Sequence, residues 1–217
     1  MKTALRTIAV IVISVGLLMV CLSCKESEST LPFEPNPETT IPDHFVTHVS
    51  DDLFSISYPS DWEIDTSFIK QAKTFAEQWT ETNNMDIPVE HVNILLIAGK
   101  PFSPGYHPNV TIVSEPLTED IETMEDLAKA EAQSIEAVCD EYEELSRVKT
   151  TINGQEATII EYECVLPGIG PIHNLSMFTI DDDTIWGACC TLSTSLADFS
   201  DYEDDFYSII RSFQILE

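Results

Sequence analysis

Phe54, Ile56 and Tyr58 alternate with Ser55 and Ser57, the period of a half-buried strand. The preceding run His44 to Val49 is β-branched and aromatic, and Ser50-Asp51-Asp52 is turn chemistry, so the two runs predict a hairpin. Pro59-Ser60-Asp61 then turns the chain so that Trp62 folds back as an aromatic clasp on the first strands. From Ser67 to Thr80 the period changes: Phe68, Ala72, Phe75, Ala76 and Trp79 fall at helical spacing. Asn83-Asn84 and Pro88 interrupt before Val92 to Ala98, a continuous apolar run that suits a central strand covered on both faces. Gly99 to Pro108 reads as loop and Asn109 to Glu115 as strand.

Thr123-Met124-Glu125-Asp126 resembles a capping box with Asp in the last place, and it opens the longest helix. Met124, Leu127, Ala128, Ile135, Val138, Tyr142 and Leu145 would share its buried face, with Glu125, Glu136, Asp140, Glu143 and Glu144 solvated. Arg147 to Ile152, Asn153-Gly154 and Gln155 to Val165 form the clearest hairpin, because Asn-Gly supplies the positive φ angles of a type I′ turn. Pro167 to Pro171 ends that strand, Ile172 to Ile180 continues, Asp181-Asp182-Asp183 turns, and Thr184 to Leu192 closes a meander. Ser200-Asp201-Tyr202-Glu203 predicts a capped helix with Tyr202, Phe206, Ile209, Ile210 and Phe213 on its apolar side, followed by a short last strand. Phe54, Tyr58, Trp62, Phe206 and Phe213 are the residues expected to hold this core.

The first 23 residues have a different pattern. Lys2 and Arg6 precede an apolar run from Ile8 to Val20, which meets Ser23 just before Cys24. This is the layout of an export signal. At about 13 residues the run is short for a bilayer span, which needs about 20, and an uncleaved anchor from Thr7 to Ser23 is the alternative to a cleaved signal. Leu22-Ser23-Cys24 resembles a bacterial lipobox, which implies cleavage before Cys24 and lipid attachment to it; Cys21 stands where that pattern usually has an aliphatic residue. The expectation is a signal at 1–23, a Pro- and acid-rich spacer at 24–43 that cannot offset its ordering entropy, and one domain at 44–217. A domain of about 170 residues is long enough for a single core.

Charge narrows the class of partner. The 217 residues carry a formal charge of -28, and loss of Lys2 and Arg6 with the signal takes it to -30. Such a field repels phosphate backbones and anionic lipid heads, which excludes nucleic acid, and it attracts basic protein surfaces. The acids are spread along the whole chain, as expected of a solvated surface.

FSISYPSDWEI, PNVTIVSEPL followed by TMEDLAKAEAQ, INGQEATIIEYE and DYEDDFYSIIRSFQI resemble, in this order, the PsbP-like family. The resemblance runs from about Phe54 to Ile215 and implies an α+β fold in which an antiparallel β-sheet carries helices on both faces, an α/β/α sandwich. It brings no catalytic residues, because members of that family mostly assist, bind or assemble.

His44 and His48 on one strand lie about 13 Å apart, too far to share a zinc ion. Cys139, Cys164, Cys189 and Cys190 allow three pairings, which spacing alone does not choose. In the meander Cys164 would lie near His173, which raises a Cys/His metal set, but buried packing of small side chains is the preferred reading. A bond from Cys139 to a sheet cysteine stays open. Asp181-Asp182-Asp183 lacks calcium-loop spacing and reads as a polar turn. Glu161 and Glu163 share one strand face as ordinary polar positions. The sequence has no nucleophile elbow, HExxH, phosphate-cradling glycine loop or papain-like cysteine. The expectation is a lipid-anchored, extracytoplasmic, non-catalytic accessory or interaction module without cofactor, facing a basic protein partner. A small-ligand or cation-binding lipoprotein is the alternative and a hydrolytic enzyme the third reading.

Overall fold

The first hairpin joins β1 (Phe45–Ser50) to β2 (Phe54–Pro59) in an antiparallel ladder that sets Phe45 opposite Pro59 and Ser50 opposite Phe54. The structure, a computed structural model, describes residues 40–216 apart from 52, 68, 73, 75–91, 102–107, 167–169 and 195–196. The signal, Cys24 and the spacer up to residue 39 therefore lie outside the described residues, as do Phe68, Phe75, Ala76 and Trp79 of the expected first helix. Residues 66–67, 69–72 and 74 are helical, in keeping with the start of that helix.

The chain continues through β3 (Glu63–Ile64), β4 (Asn93–Gly99), β5 (Asn109–Pro116), helix α1 (Met124–Val138), β6 (Asp140–Ile152), β7 (Gln155–Leu166), β8 (Gly170–Asp181) and β9 (Thr184–Ser193). A 3-10 turn (Phe199–Asp201), helix α2 (Glu203–Ser212) and β10 (Gln214–Ile215) complete it. The strands form two antiparallel sheets, one of order β1-β2-β10 and one of order β3-β4-β5-β9-β8-β7-β6. The fold is mixed α+β, dominated by sheet, with few helices among the described residues.

Alternate residues of the long strands enter two cores. Ile160, Tyr162 and Cys164 of β7 pack with Phe178 of β8 and with Leu127, Ala128 and Ile135 of α1. Leu175 and Met177 of β8 go the other way, to Phe54 and Ile56 of β2 and to Phe206, Ile209 and Ile210 of α2. Full burial of side chains of this size stabilises by about 1.5–3 kcal/mol each, before the entropy of ordering them. Asn153 (φ 48°) and Gly154 (φ 89°) form the expected turn between β6 and β7, and the Asn153 side chain donates to the Phe213 carbonyl at 2.6 Å.

Three expectations are corrected. The long helix stops at Val138, and residues 140–152, including Tyr142 and Leu145, form strand β6. Its composition favours helix, but pairing with β7 along nearly its whole length decides the outcome. Val92 to Ala98 is not central: β4 has only the two-residue β3 on its outer side. The Ser200 capping box does not form. A 3-10 turn occupies those residues and α2 begins at Glu203, with Tyr202 at its N-cap and no side-chain cap bond. At α1, by contrast, Thr123 accepts from the Asp126 backbone at 3.1 Å and its hydroxyl donates to the Asp126 carboxylate at 2.7 Å.

Candidate functional site

The most concentrated polar chemistry sits where β7 and β8 run side by side. Glu163 is directly opposite His173 in the ladder, and Glu161, two residues before it, shares its face. His173 Nδ1 lies 2.9 Å from Glu163 Oε1, and Nε2 lies 2.9 Å from Glu161 Oε1. Each ring nitrogen thus faces its own carboxylate oxygen, with the tautomer setting which nitrogen donates. Ser146 of β6 donates to Glu161 Oε2 at 3.2 Å, and the Tyr207 hydroxyl of α2 reaches the same oxygen at 3.5 Å. Phe199 stacks on the imidazole, centroids 3.6 Å apart and planes 12° from parallel. The cluster therefore ties three strands to α2 and the 3-10 turn before it.

The electrostatics follow from these contacts. The hydrogen bond from His173 holds the Glu161 carboxyl below its ordinary value against the opposing effect of burial. Burial, reinforced by the Glu161 charge, pushes the Tyr207 phenol up to about 12. The His173 ring is buried, Glu161 is mostly covered, and half of the Glu163 side chain faces solvent. Both ring nitrogens are engaged by the glutamates and the ring is buried, so neither nitrogen is presented to solvent. As arranged, the cluster holds the fold together and presents Glu163 outward.

A second anomaly lies in the core beside α1. Glu131 is fully buried within the helix, and both its carboxyl oxygens lack a hydrogen-bond partner among the described residues; Oε1 of buried Glu115 on β5 is likewise unpartnered. Burial pushes Glu115 up to about 8, and burial together with the charge of Glu115 holds Glu131 well above the carboxylate range. Neither acid stood out in the sequence reading.

Phe54, Tyr58, Trp62, Phe206 and Phe213 meet in one core, with Trp62 edge-on to Phe206 at 6.3 Å and Phe54 stacked on Phe213 at 6.0 Å. The structure separates the Cys/His set, because His173 turns to the glutamates while Cys164 joins the α1 core. His44 bonds Asp205 at 3.2 Å and His48 lies against the Phe54 ring, so these two histidines have different partners. Asp182 (φ 50°) and Asp183 form the tight turn between β8 and β9, while Asp181 accepts from Gln155 at 2.7 Å. Among the described residues, no three His, Cys, Asp or Glu side chains are grouped to hold a metal ion, and no helix is long and apolar enough to cross a membrane.

Comparison with known proteins places this architecture. No curated protein sequence matches the chain. The solution structure of cyanobacterial PsbP (CyanoP) from Synechocystis sp. PCC 6803 is similar over 79% of this chain and 92% of its own, with TM-score 0.50 and 14% identity. LpqN of Mycobacterium tuberculosis, described as involved in cell envelope biogenesis, is similar over 76% of this chain and 83% of its own, with TM-score 0.52 and 10% identity. These likenesses concern the fold. The PsbP family model matches residues 45–215, from the first residue of β1 to the last of β10, and the chain therefore belongs to the PsbP family.

Proposed function

We propose that this protein is a lipid-anchored, extracytoplasmic PsbP-family module that acts without catalysis, as an accessory or interaction partner of an envelope or membrane complex. Residues 1–23 serve as the export signal, Cys24 carries the lipid, 24–43 form the spacer and 44–217 the domain. Within that domain α1 and α2 cover opposite faces of the larger sheet, a layering supported by their membership of different cores. The observation that carries the reading is the family match over 45–215, preceded by a signal and lipobox pattern ending at Cys24 and by the spacer between them. The envelope role given for LpqN agrees with this placement. The partner presents a basic surface, because a chain of charge -28 attracts cations and repels anionic polymers.

The test has two arms. Cells making the full chain are labelled with a fatty-acid analogue and fractionated; label in the membrane fraction that disappears in Cys24→Ala supports the anchor, and label retained by that variant refutes it. Crosslinking in native membranes, followed by capture of the chain, is expected to recover one partner with a basic surface repeatedly. Recovery of no specific partner overturns the accessory role.

A further inference from the structure

The four described thiols are all buried, and their positions sort them. Cys190 belongs to the core beside α2, where its sulfur lies 3.9 Å from the Phe206 carbonyl. Cys189 is next to it in the same strand, so the two side chains leave the sheet on opposite faces. Cys164 on β7 is separated from β9 by β8, which puts their backbones about 9.6 Å apart, beyond the range of about 4.4–6.8 Å that a disulfide spans. Cys139 is placed differently. It ends α1 as the C-cap, with its N–H bonded to the Ile135 carbonyl at 3.0 Å, and Asp140 after it pairs with Val165, the neighbour of Cys164. Cys139 and Cys164 both lie in the α1 core, each one residue from the Asp140–Val165 pair, which puts them on the same face of adjoining strands.

The local backbone gives this placement a purpose. The β6–β7 ladder is irregular between Asp140 and Glu143 and again between Glu144 and Ser146, and Glu141 has φ 52°, so regular pairing is interrupted at the end of the hairpin that carries the two cysteines. A covalent link there would close a loop holding the whole β6–β7 hairpin and fasten it to the end of α1.

We infer that Cys139 and Cys164 are a disulfide-forming pair, reduced in this structure, which closes by thiol–disulfide exchange with a small-molecule disulfide. One cysteine, as thiolate, attacks the small disulfide and releases one thiol. The second thiolate attacks the resulting mixed disulfide and releases the other, so the Cys139–Cys164 bond forms as one disulfide is reduced to two thiols and the two cysteine protons pass to solvent and the leaving thiolates. The contact with Cys164, followed by burial, pushes the Cys139 thiol up, which keeps it protonated once folded. Closure therefore accompanies folding, and burial then shields the bond from reductant.

The test needs no export and so stands apart from the proposed function. The full chain, reduced and denatured, is refolded in mild detergent with reduced and oxidised glutathione, free thiols are alkylated, and a non-reducing digest is analysed by mass spectrometry. The expected result is a peptide pair linking Cys139 to Cys164, 2 Da lighter than the two thiol peptides. The linked form should melt several degrees higher than the reduced one. Cys139→Ala and Cys164→Ser each abolish the link, whereas Cys189→Ser retains it. Alkylation of both Cys139 and Cys164 in the refolded protein, or a link from either to another cysteine, overturns the inference. The wild-type digest decides the matter alone if a variant fails to fold.

Discussion

Replacing Glu115 by Gln is expected to stabilise the protein above neutral pH and to leave it nearly unchanged in acid. Glu115 ionises near 4.5 in ordinary surroundings and is pushed up to about 8 in the fold by burial. Below about 4.5 the carboxyl is protonated in both folded and unfolded chains, and its full contribution to stability is present. Between 4.5 and about 8 the unfolded chain loses the proton while the folded chain keeps it, so stability falls as pH rises. The loss from this group is about 3 kcal/mol at pH 7 and about 5 kcal/mol at pH 9, much of the 5–15 kcal/mol that holds a typical domain together. Glutamine keeps the shape and cannot ionise, so the variant should lose this slope. Glu131→Gln should act in the same direction, because burial and the charge of Glu115 both raise Glu131.

Urea unfolding between pH 4.5 and 9 reads the effect directly. An acidic chain also repels itself more as pH rises, and Glu136→Gln, on the exposed side of α1, removes one unit of charge without touching the buried pair. High salt screens the surface term and leaves the buried one largely intact. Wild-type stability that is flat or rising from pH 5 to 8, or a Glu136→Gln profile that matches Glu115→Gln, would refute the reasoning.

Two further substitutions probe the other core. His173→Ala should destabilise by about 3 kcal/mol at pH 7, since it leaves a covered carboxylate unpaired. Glu161 is held below its ordinary value, so this stabilisation is present at neutral pH and is lost as pH falls through the folded value; equal losses at pH 7 and pH 3 would contradict the assignment. Trp62→Ala should cost about 3–5 kcal/mol through lost burial and the cavity left beside Phe206, and calorimetry showing an unchanged Tm would place the indole outside the core.

Local signals carried most of the fold and little of the site. Alternation in FSISYP and the Asn153-Gly154 turn are written in neighbouring residues, and both appear as read. Residues 140–146 depend instead on a partner strand, and pairing with β7 overrides the helical bias of that acidic stretch. The Glu161–His173–Glu163 cluster is likewise a matter of register. Glu163 and His173 stand opposite because β7 and β8 pair with Leu166 against Gly170, a register that same-strand spacing does not reveal. Glu131 left a usable trace: it lies four residues after Leu127 and four before Ile135, on the stripe that α1 buries. A charged residue on an otherwise apolar stripe is the cue, and the many exposed acids on the other faces of the same helix mask it.

β1 is the outermost strand of its sheet, and the chain before Phe45 leads straight into it. A pull along that segment loads the Phe45–Pro59 end of the β1–β2 ladder together with the bonds that join His44 to Asp205 of α2 and to Ser60. The smaller sheet is therefore the part of the domain that tension from the N-terminal side meets first.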